Sequence, residues 1–489
     1  MPVALGSLAA RVGARLDGSD IAVTGLTMAS DRVRPGDLFA AAPGHAAHGA
    51  RYAARAIGAG AVAVLTDAAG TAELPGGVPT LIVPDVRAAV GPAAAQVYGD
   101  PSGELDLLGV TGTSGKTTTT FFLRAGLQAA GRTSGVIGTV ATLIGHESIK
   151  TGFTTPEAPE LQALLAVMRE RGVTHVAMEV SSHALAMGRV GGIEFAVGSF
   201  TNLSEDHLDF HADMDDYFAA KALLFDGRTR RAVIVVDDEW GRRMAQVAGE
   251  CLTVGTGDTP ADWRAHDVQE LPDGTTRFRV AGPGVDLQTG CSVPGRYNVA
   301  NALLALAILH ENAVPLDIAA PAVAAATVPG RMERIDAGQG FLAVVDYSHK
   351  PAAVDGALRA LRPLTRARLI IVLGCGGDRD RAKRPLMGEI AARGSQLLIV
   401  TDDNPRSEDP AAIRQAMLSG ARAVPSAERG VIREIGDRAE AIAAAVAAAS
   451  DGDTVLIAGK GHEPGQEIAG ITHPFDDRDV LRAALERLQ

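Results

Sequence analysis

Runs that read as buried strands alternate with runs that read as helices along almost the whole chain, and this alternation restricts the fold more than any other feature. Consecutive parallel strands need a long crossover, usually a helix, so repeated alternation implies parallel sheets covered by helices and an α/β class. At 489 residues the chain exceeds what one hydrophobic core supports, and it must divide into domains. The runs IAVTGLTMAS, GDLFAAAPG, AVAVLTD and TLIVPD, closed by the Ala-rich helix VRAAVGPAAAQVYG and the breaker DPSGE, predict a small first domain over residues 1–102. DLLGV, SGVIGT, THVAMEV, FAVGSFTNL and RAVIVV read as a second series of buried strands, followed by the apolar helix GRYNVANALLALAILHENAV and the linker TVPGRMERI. These predict a central domain over 103–333, and FLAVVDYS, RLIIVLG, QLLIVTDD and DTVLIAGKG predict a third over 334–489.

Charge and cysteine content exclude several functions. A formal charge of −12 argues against broad electrostatic binding of nucleic acid, so an anionic ligand has to be held by local cations or backbone N–H groups. Cys251, Cys291 and Cys375 are odd in number and widely spaced, which suits neither a disulfide framework nor a zinc site. The N-terminus lacks a basic stretch followed by an unbroken apolar core, and no later run is long enough to span a bilayer. A cytoplasmic protein without membrane insertion is expected.

LLGVTGTSGKTTTTFFL combines a strand, a Gly/Ser/Thr turn and a helix start, the arrangement in which backbone N–H groups cradle phosphate. The strict phosphate-loop pattern is not met, because the glycines fall at Gly109, Gly112 and Gly115. An ordinary strand-to-helix turn, however, has no need of Gly-Lys-Thr there. Gly112, Thr113, Ser114, Gly115, Lys116, Thr117 and Thr118 are therefore expected to bind a nucleotide, with Lys116 on the terminal phosphates and Thr117 holding Mg²⁺. No base-reading N-K-x-D motif accompanies them, which leaves kinases, ATPases and ATP-driven ligases.

HVAMEVSSHAL places Glu179 at the end of a predicted central strand, where a carboxylate either binds Mg²⁺ or simply faces water. His207, in TNLSEDHLDFH after the next strand, falls near the same edge and is a metal-ligand candidate. In DMDDYFAAKALLF a helical reading brings Tyr217, Leu224 and Phe225 near Lys221. On these residues alone, Lys221 packs its stem on apolar neighbours while its ammonium reaches water. TDDNPR reads as a strand end with an Asx-Pro turn, and PGRMERI as a hinge with solvated arginines.

Taken together and in order, GVTGTSGKTTTT, FTTPE, MEVSSHAL, TNLSEDHLDFHADMDDYFAAK, PGRYNVANALLA, PGRMERI, VDYSHKP, GCGGDRDRAKRPLMGEIA, TDDNPR and AGKGHE resemble the Mur ligase family. Within it they resemble the branch that adds diaminopimelate to UDP-N-acetylmuramoyl-L-alanyl-D-glutamate in peptidoglycan synthesis. The resemblance implies a UDP-binding first domain, a central ATPase-like domain with a phosphate loop and a Rossmann-like C-terminal domain. It implies a monomeric ATP-dependent ligase that acts on small molecules through an acyl phosphate, with ATP as co-substrate and Mg²⁺ as cofactor.

Residue by residue, the resemblance implies that Ser30, His45, Ala46 and Ala47 hold the UDP end, and Thr154, Thr155, Ser181 and Arg189 the muramyl peptide. Met187 stands where such enzymes commonly have Gln. Asn298, Arg331 and Asp346 fall on ATP positions, and Arg379, Asp403, Asn404, Pro405, Arg406, Gly459 and Glu463 on diaminopimelate positions. Lys116, Glu179, His207 and Lys221 fall on catalytic positions. The resemblance also implies that Lys221 is an N6-carboxylysine, a carbamate derived from CO₂ that would join Thr117, Glu179 and His207 around metal. A lysine-adding Mur ligase, a ligase like folylpolyglutamate synthetase and a nucleotide-sensing protein on the same fold are the rivals.

Overall fold

The computed structural model describes residues 2–44, 47–149, 152–208, 210–271 and 274–488. The chain forms two compact units, one of residues 1–264 with 303–322 and one of residues 265–302 with 323–489.

The first unit contains the short antiparallel pair Val3–Ala4 with Ala22–Val23 and two larger sheets. Its N-terminal sheet has the strand order Arg15–Asp17, Thr80–Ile82, Ala63–Thr66, Asp37–Ala40, Gly25–Thr27, parallel except at the Arg15–Asp17 edge. Leu38, Ala63, Leu65 and Leu81 from these strands pack with Leu5, Leu8, Val90 and Ala94 from two helices in one apolar core. The helix Val86–Val97 begins with Asp85 accepting from the Ala88 N–H at 3.1 Å, which satisfies one of its unpaired donors.

In the second sheet of this unit, Ser134–Ile137, His175–Glu179, Asp106–Thr111, Val197–Phe200, Ala232–Val235 and Leu252–Thr256 lie side by side in parallel. The runs predicted as buried strands fall on these ranges, and the central one, Asp106–Thr111, is buried along nearly all of its length. Coverage on both faces explains why it reads as an unbroken apolar run. The carboxyl ends of four neighbouring strands, at Ile137, Glu179, Thr111 and Phe200, therefore share one edge.

The second unit carries a sheet in the order Glu333–Arg334, Leu342–Asp346, Thr454–Ala458, Leu369–Leu373, Leu397–Val400, Val431–Glu434, parallel except for the first strand. Thr454–Ala458 enters between two strands that precede it in the chain. Such an insertion opens a crevice beyond the strands' carboxyl ends, the usual ligand position in open parallel sheets. The same unit holds the antiparallel pair Thr276–Gly282 with Val285–Cys291 and the hairpin Gly465–Ile468 with Ile471–Pro474. Alternation of α and β runs had not indicated either. Among the described residues, no helix is long and apolar enough to cross a membrane.

Candidate active site

Gly112 and Gly115 shape the loop between strand Asp106–Thr111 and helix Lys116–Ala129. Both have positive φ, 142° and 91°, and a Cβ on Gly112 would lie 1.8 Å from the Thr201 hydroxyl oxygen. The loop is tied to the next strand end by Ser114 N–H donating to Asn202 Oδ1 at 3.1 Å and the Thr201 hydroxyl donating to Ser114 O at 2.7 Å. Lys116 folds back over this loop, its Nζ donating to the carbonyls of Gly112 and Thr113, both at 2.9 Å.

Thr117, in the first turn of helix Lys116–Ala129, meets Glu179 at the end of the neighbouring strand His175–Glu179. The Thr117 hydroxyl donates to Glu179 Oε1 at 2.9 Å, and Glu179 is 1% exposed. The burial rules out a strand-end acid facing water. Two further donors come from Thr139, after strand Ser134–Ile137: its N–H reaches Oε1 at 2.9 Å and its hydroxyl reaches Oε2 at 3.1 Å. Sequence reasoning did not select Thr139, although its place just beyond a predicted strand end was a usable signal.

The residues expected to touch the muramyl peptide gather beside this carboxylate. Thr154 Oγ1 lies 3.1 Å from Thr139 Oγ1, and the Thr155 hydroxyl donates to the Glu179 carbonyl at 2.9 Å. Ser181 caps helix Ser182–Ala186 by accepting from Ala184 N–H at 3.1 Å. Arg189 pairs with Glu157 at 2.9 Å, donates to the Thr155 carbonyl at 3.2 Å and stacks on Phe153, 4.5 Å from the ring centre. Its guanidinium also reaches the sulfur of Met187 at 3.6 Å, so the residue at the usually polar position still touches this group. Ser30 and Ala47 sit half-buried in separate loops of the same unit, and His45 and Ala46 lie outside the described residues.

Lys221 departs from the expectation drawn from its own neighbours. Helix Met214–Ala222 forms as predicted, and Tyr217 lies against the lysine with Nζ 4.3 Å from the ring centre. The ammonium does not reach water. Lys221 is 1% exposed and donates to the Gly112 carbonyl at 2.8 Å, the same oxygen that Lys116 holds. Tyr217 Oη sits 3.2 Å from Thr113 Oγ1, and burial pushes this phenol above its usual range.

His207 lies on the Tyr217 side, its ring 6.2 Å from that of Tyr217, 4.8 Å from that of His183 and within 3.3 Å of the Asp206 carboxylate. Its backbone has φ 55°, uncommon for a side-chain-bearing residue. His211, which sequence reasoning passed over, is buried and joins the helix starts on either side. It contacts Ser182 Oγ at 3.1 Å and Asp216 at 3.2 Å. The structure thus brings Thr117 to Glu179 and Lys116 to Lys221, and leaves His207 beside Tyr217.

The donor set suits a hard cation that keeps other ligands. A hydroxyl and a carboxylate are oxygen donors, as Mg²⁺ prefers. Among the described residues, no group of three or more His, Cys, Asp or Glu side chains is arranged to hold a metal by itself. Phosphate oxygens and water would complete the shell.

In the second unit, all the expected amino-acid contacts follow carboxyl ends of parallel strands. The loop after Leu369–Leu373 bears Arg379, the loop after Leu397–Val400 bears Asp403, Asn404, Pro405 and Arg406, and the loop after Thr454–Ala458 bears Gly459 and Glu463. Arg406, with φ 53°, donates to the Gly377 carbonyl at 2.6 Å and lies 3.4 Å from Glu467. Asn404 donates to Glu463 at 2.8 Å, and Arg379 is exposed.

The three expected ATP contacts in this unit serve local roles. Asp346 accepts from Met332 N–H at 2.8 Å and from Ser348, fixing the linker, and Arg331 stacks 4.2 Å above the Tyr347 ring. Asn298 is buried, donating to Pro294 O at 2.8 Å and accepting from Asn301 at 2.9 Å.

Comparison with known proteins gives three family-model matches: "Mur ligase family, catalytic domain" at residues 22–98, "Mur ligase middle domain" at 110–309 and "Mur ligase, glutamate ligase domain" at 330–461. A protein of Streptomyces avermitilis called UDP-N-acetylmuramoyl-L-alanyl-D-glutamate--2,6-diaminopimelate ligase is 52% identical over 99% of this chain and 97% of its own. A protein of Corynebacterium glutamicum with the same name is 53% identical over 92% of this chain and 89% of its own. A solved structure bearing this enzyme name superimposes with a TM-score of 0.73 at 31% identity, covering 100% of this chain and 99% of the other.

Proposed function

Because the chain belongs to the Mur ligase family, we propose that it is the ATP-dependent ligase that joins diaminopimelate to the D-glutamate of UDP-N-acetylmuramoyl-L-alanyl-D-glutamate in peptidoglycan synthesis. One observation carries the reading. Lys116, Thr117, Glu179 and Lys221 converge on a single strand edge of a chain whose near-full-length relatives bear that name. The proposed division into three domains, 1–102, 103–333 and 334–489, is supported by the order of the three family matches, of which the last begins at residue 330. Nucleotide and nucleotide-sugar substrates point to the cytoplasm, and small-molecule substrates alone require no second subunit.

Joining an amine to a carboxylate in water is uphill, so the carboxylate is first phosphorylated. A D-glutamate carboxylate oxygen bonds to the γ-phosphorus of ATP, the bridging P–O bond breaks and ADP leaves. The free amine of diaminopimelate then attacks the acyl carbon. The tetrahedral intermediate expels inorganic phosphate, and the amine proton passes to solvent or a nearby base. Lys116, released from the loop carbonyls, is suited to the charge on the transferred phosphoryl group. Thr117 and Glu179 would hold Mg²⁺, which when bound offsets phosphate charge, with His207 as a further ligand.

Lys221 fits this scheme as a carbamate. Its neutral amine adds to CO₂ with loss of one proton and becomes an anion at the end of a long stem. A negative group beside Lys116 replaces the juxtaposition of two ammonium groups on one carbonyl. Asp403 and Glu463 suit the ammonium of the incoming amino acid, and Arg379 and Arg406 suit its carboxylates.

Purified protein with ATP and either UDP-N-acetylmuramoyl-L-alanyl-D-glutamate or a folate, offered diaminopimelate, lysine or glutamate, tests the proposal. ADP release and tripeptide formation are expected with diaminopimelate. Preference for lysine moves the chain to the lysine-adding branch, turnover of a folate with glutamate moves it to that ligase class, and nucleotide binding without turnover supports a sensor.

A further inference from the structure

Lys460 is 0% exposed, yet lysine is almost never fully buried unless it is paired. It lies between Gly459 and Gly461, both with positive φ, in the loop after the inserted strand Thr454–Ala458. Its Nζ donates to Asn404 Oδ1 at 2.9 Å and to Glu463 Oε2 at 3.3 Å. The buried ammonium thus joins two loops of the expected amino-acid site.

The pairing fixes how each group faces outward. Asn404 Oδ1 accepts from Lys460 and from the Glu467 N–H, also at 2.9 Å, so its NH₂ must turn the other way. There it donates to Glu463 Oε2 at 2.8 Å. One oxygen of Glu463 is therefore committed to Lys460 and Asn404, and the carboxylate has a single defined direction. The loops are held by other bonds as well: Gln466 donates to the Asp403 carbonyl at 2.8 Å, and the Arg406 N–H to the Glu467 carbonyl at 3.0 Å. Arg438 and Asp477, both buried, form a two-pronged pair at 2.7 Å, and Arg438 also donates to the Ala458 carbonyl at 3.0 Å. Backbone shape here does not depend on Lys460. What depends on it is the orientation of two side chains.

We propose that Lys460 is a positioning residue for the incoming amino acid, holding the Asn404 amide and the Glu463 carboxylate in the arrangement that receives its amino-acid centre. The inference rests on reading this strand edge as the diaminopimelate site. Lys460 itself does not touch the substrate. It acts through Asn404 and Glu463, and its loss affects the amino-acid substrate alone.

Lys460→Met keeps the stem volume and removes the donor and the charge. The KM for diaminopimelate is expected to rise on the order of tenfold or more, as when a buried polar partner is lost. The KM values for ATP and the nucleotide substrate should stay near those of the enzyme with Lys460, while the thermal unfolding midpoint falls modestly and the variant remains folded at the assay temperature. Lys460→Gln, which retains a shorter donor, should fall between the two. In a cycle with Asn404→Ala, the double variant should be no worse than the poorer single variant. An unchanged KM for diaminopimelate overturns the proposal, as do equal losses for all three substrates or additive effects in the cycle. Failure of both Lys460 variants to fold assigns the residue a structural role and overturns it too. The underlying reading fails separately, when the unmodified enzyme does not use diaminopimelate.

Discussion

Replacing Gly138 by alanine should disable the site without replacing any residue expected to act in it. Gly138 follows strand Ser134–Ile137, and its backbone lies outside the left-handed region, so alanine brings no conformational strain. A Cβ there would stand 2.4 Å from Glu179 Oε1, 3.0 Å from its Cδ and 3.1 Å from its Cγ. Ordinary contact needs about 3.5 Å, so the carboxylate must withdraw by roughly 1 Å. That withdrawal is not free, because Oε1 accepts from the Thr117 hydroxyl and the Thr139 N–H, each at 2.9 Å. A shift of this size lengthens both beyond a useful hydrogen bond. Each bond to a charged acceptor contributes about 1.5–3 kcal/mol, and Glu179, 1% exposed, cannot readily replace them with water. A displacement of about 1 Å at a reacting centre costs on the order of a hundredfold in rate. The assay is ADP release at saturating ATP and nucleotide substrate over a magnesium titration, with thermal unfolding as the control for folding. Expected are a rate about a hundredfold lower and a higher magnesium requirement. A folded Gly138→Ala enzyme with an unchanged rate and magnesium dependence would show that the position of Glu179 does not matter to the reaction.

Four further outcomes follow from the same geometry. Lys116→Ala should abolish ADP formation, with thermal unfolding as the control for folding, because the lysine reaches over the phosphate loop; near-normal ADP release by the folded variant would remove it from the phosphate site. Arg406→Ala should erode the preference for diaminopimelate over lysine, because lysine lacks the second carboxylate that suits a guanidinium; competition between the two amino acids measures this. Lys221→Ala should lose most activity and regain part of it with a small added carboxylate, Lys221→Arg should not recover, and ¹³C-labelled bicarbonate should give a carbamate signal only in the enzyme that keeps Lys221. Burial lowers the pKa of His349 from 6.5 to about 4, so the unfolded chain binds a proton more readily than the fold within that window. Stability from this residue is full above pH 6.5 and falls by about 1–3 kcal/mol toward pH 4, the ring being only partly buried; denaturant midpoints at pH 7 and 5 should converge in His349→Gln.

Much of the site was legible because its parts follow strands that are buried on both faces. Those strands read as continuous apolar runs, and the polar residues at or just past their ends, Glu179, Asp346 and Asp403, are displayed on the edges where parallel sheets bind ligands. The strands Trp263–Glu270 and Thr276–Gly282 were not legible for the complementary reason. Their residues alternate between buried and exposed, and WRAHDVQE carries too many charges to resemble the other runs. The hairpin Gly465–Ile468 with Ile471–Pro474 is half-buried along most of its first strand and exposed along its second, and it offers no apolar pattern.

Lys221 shows where local pattern ends. A helical period correctly brings Tyr217 against it, four residues away, because neighbours within a turn share a face. Depth is a different quantity. The carbonyl that receives its ammonium belongs to Gly112, 109 residues upstream, and the bond from Thr139 to Glu179 spans 40 residues. Asn404 and Lys460 are 56 residues apart. No window of sequence contains these pairs, so an isolated reading assigns each polar group to water, its cheapest partner. Only the parallel order of the strands sets Gly112, Thr139 and Glu179 side by side and closes the Lys221 ammonium off from solvent. A buried amine beside a second cation is what makes a carbamate worth testing at this position. The family resemblance had implied the modification, and the burial of the amine adds a physical reason for it.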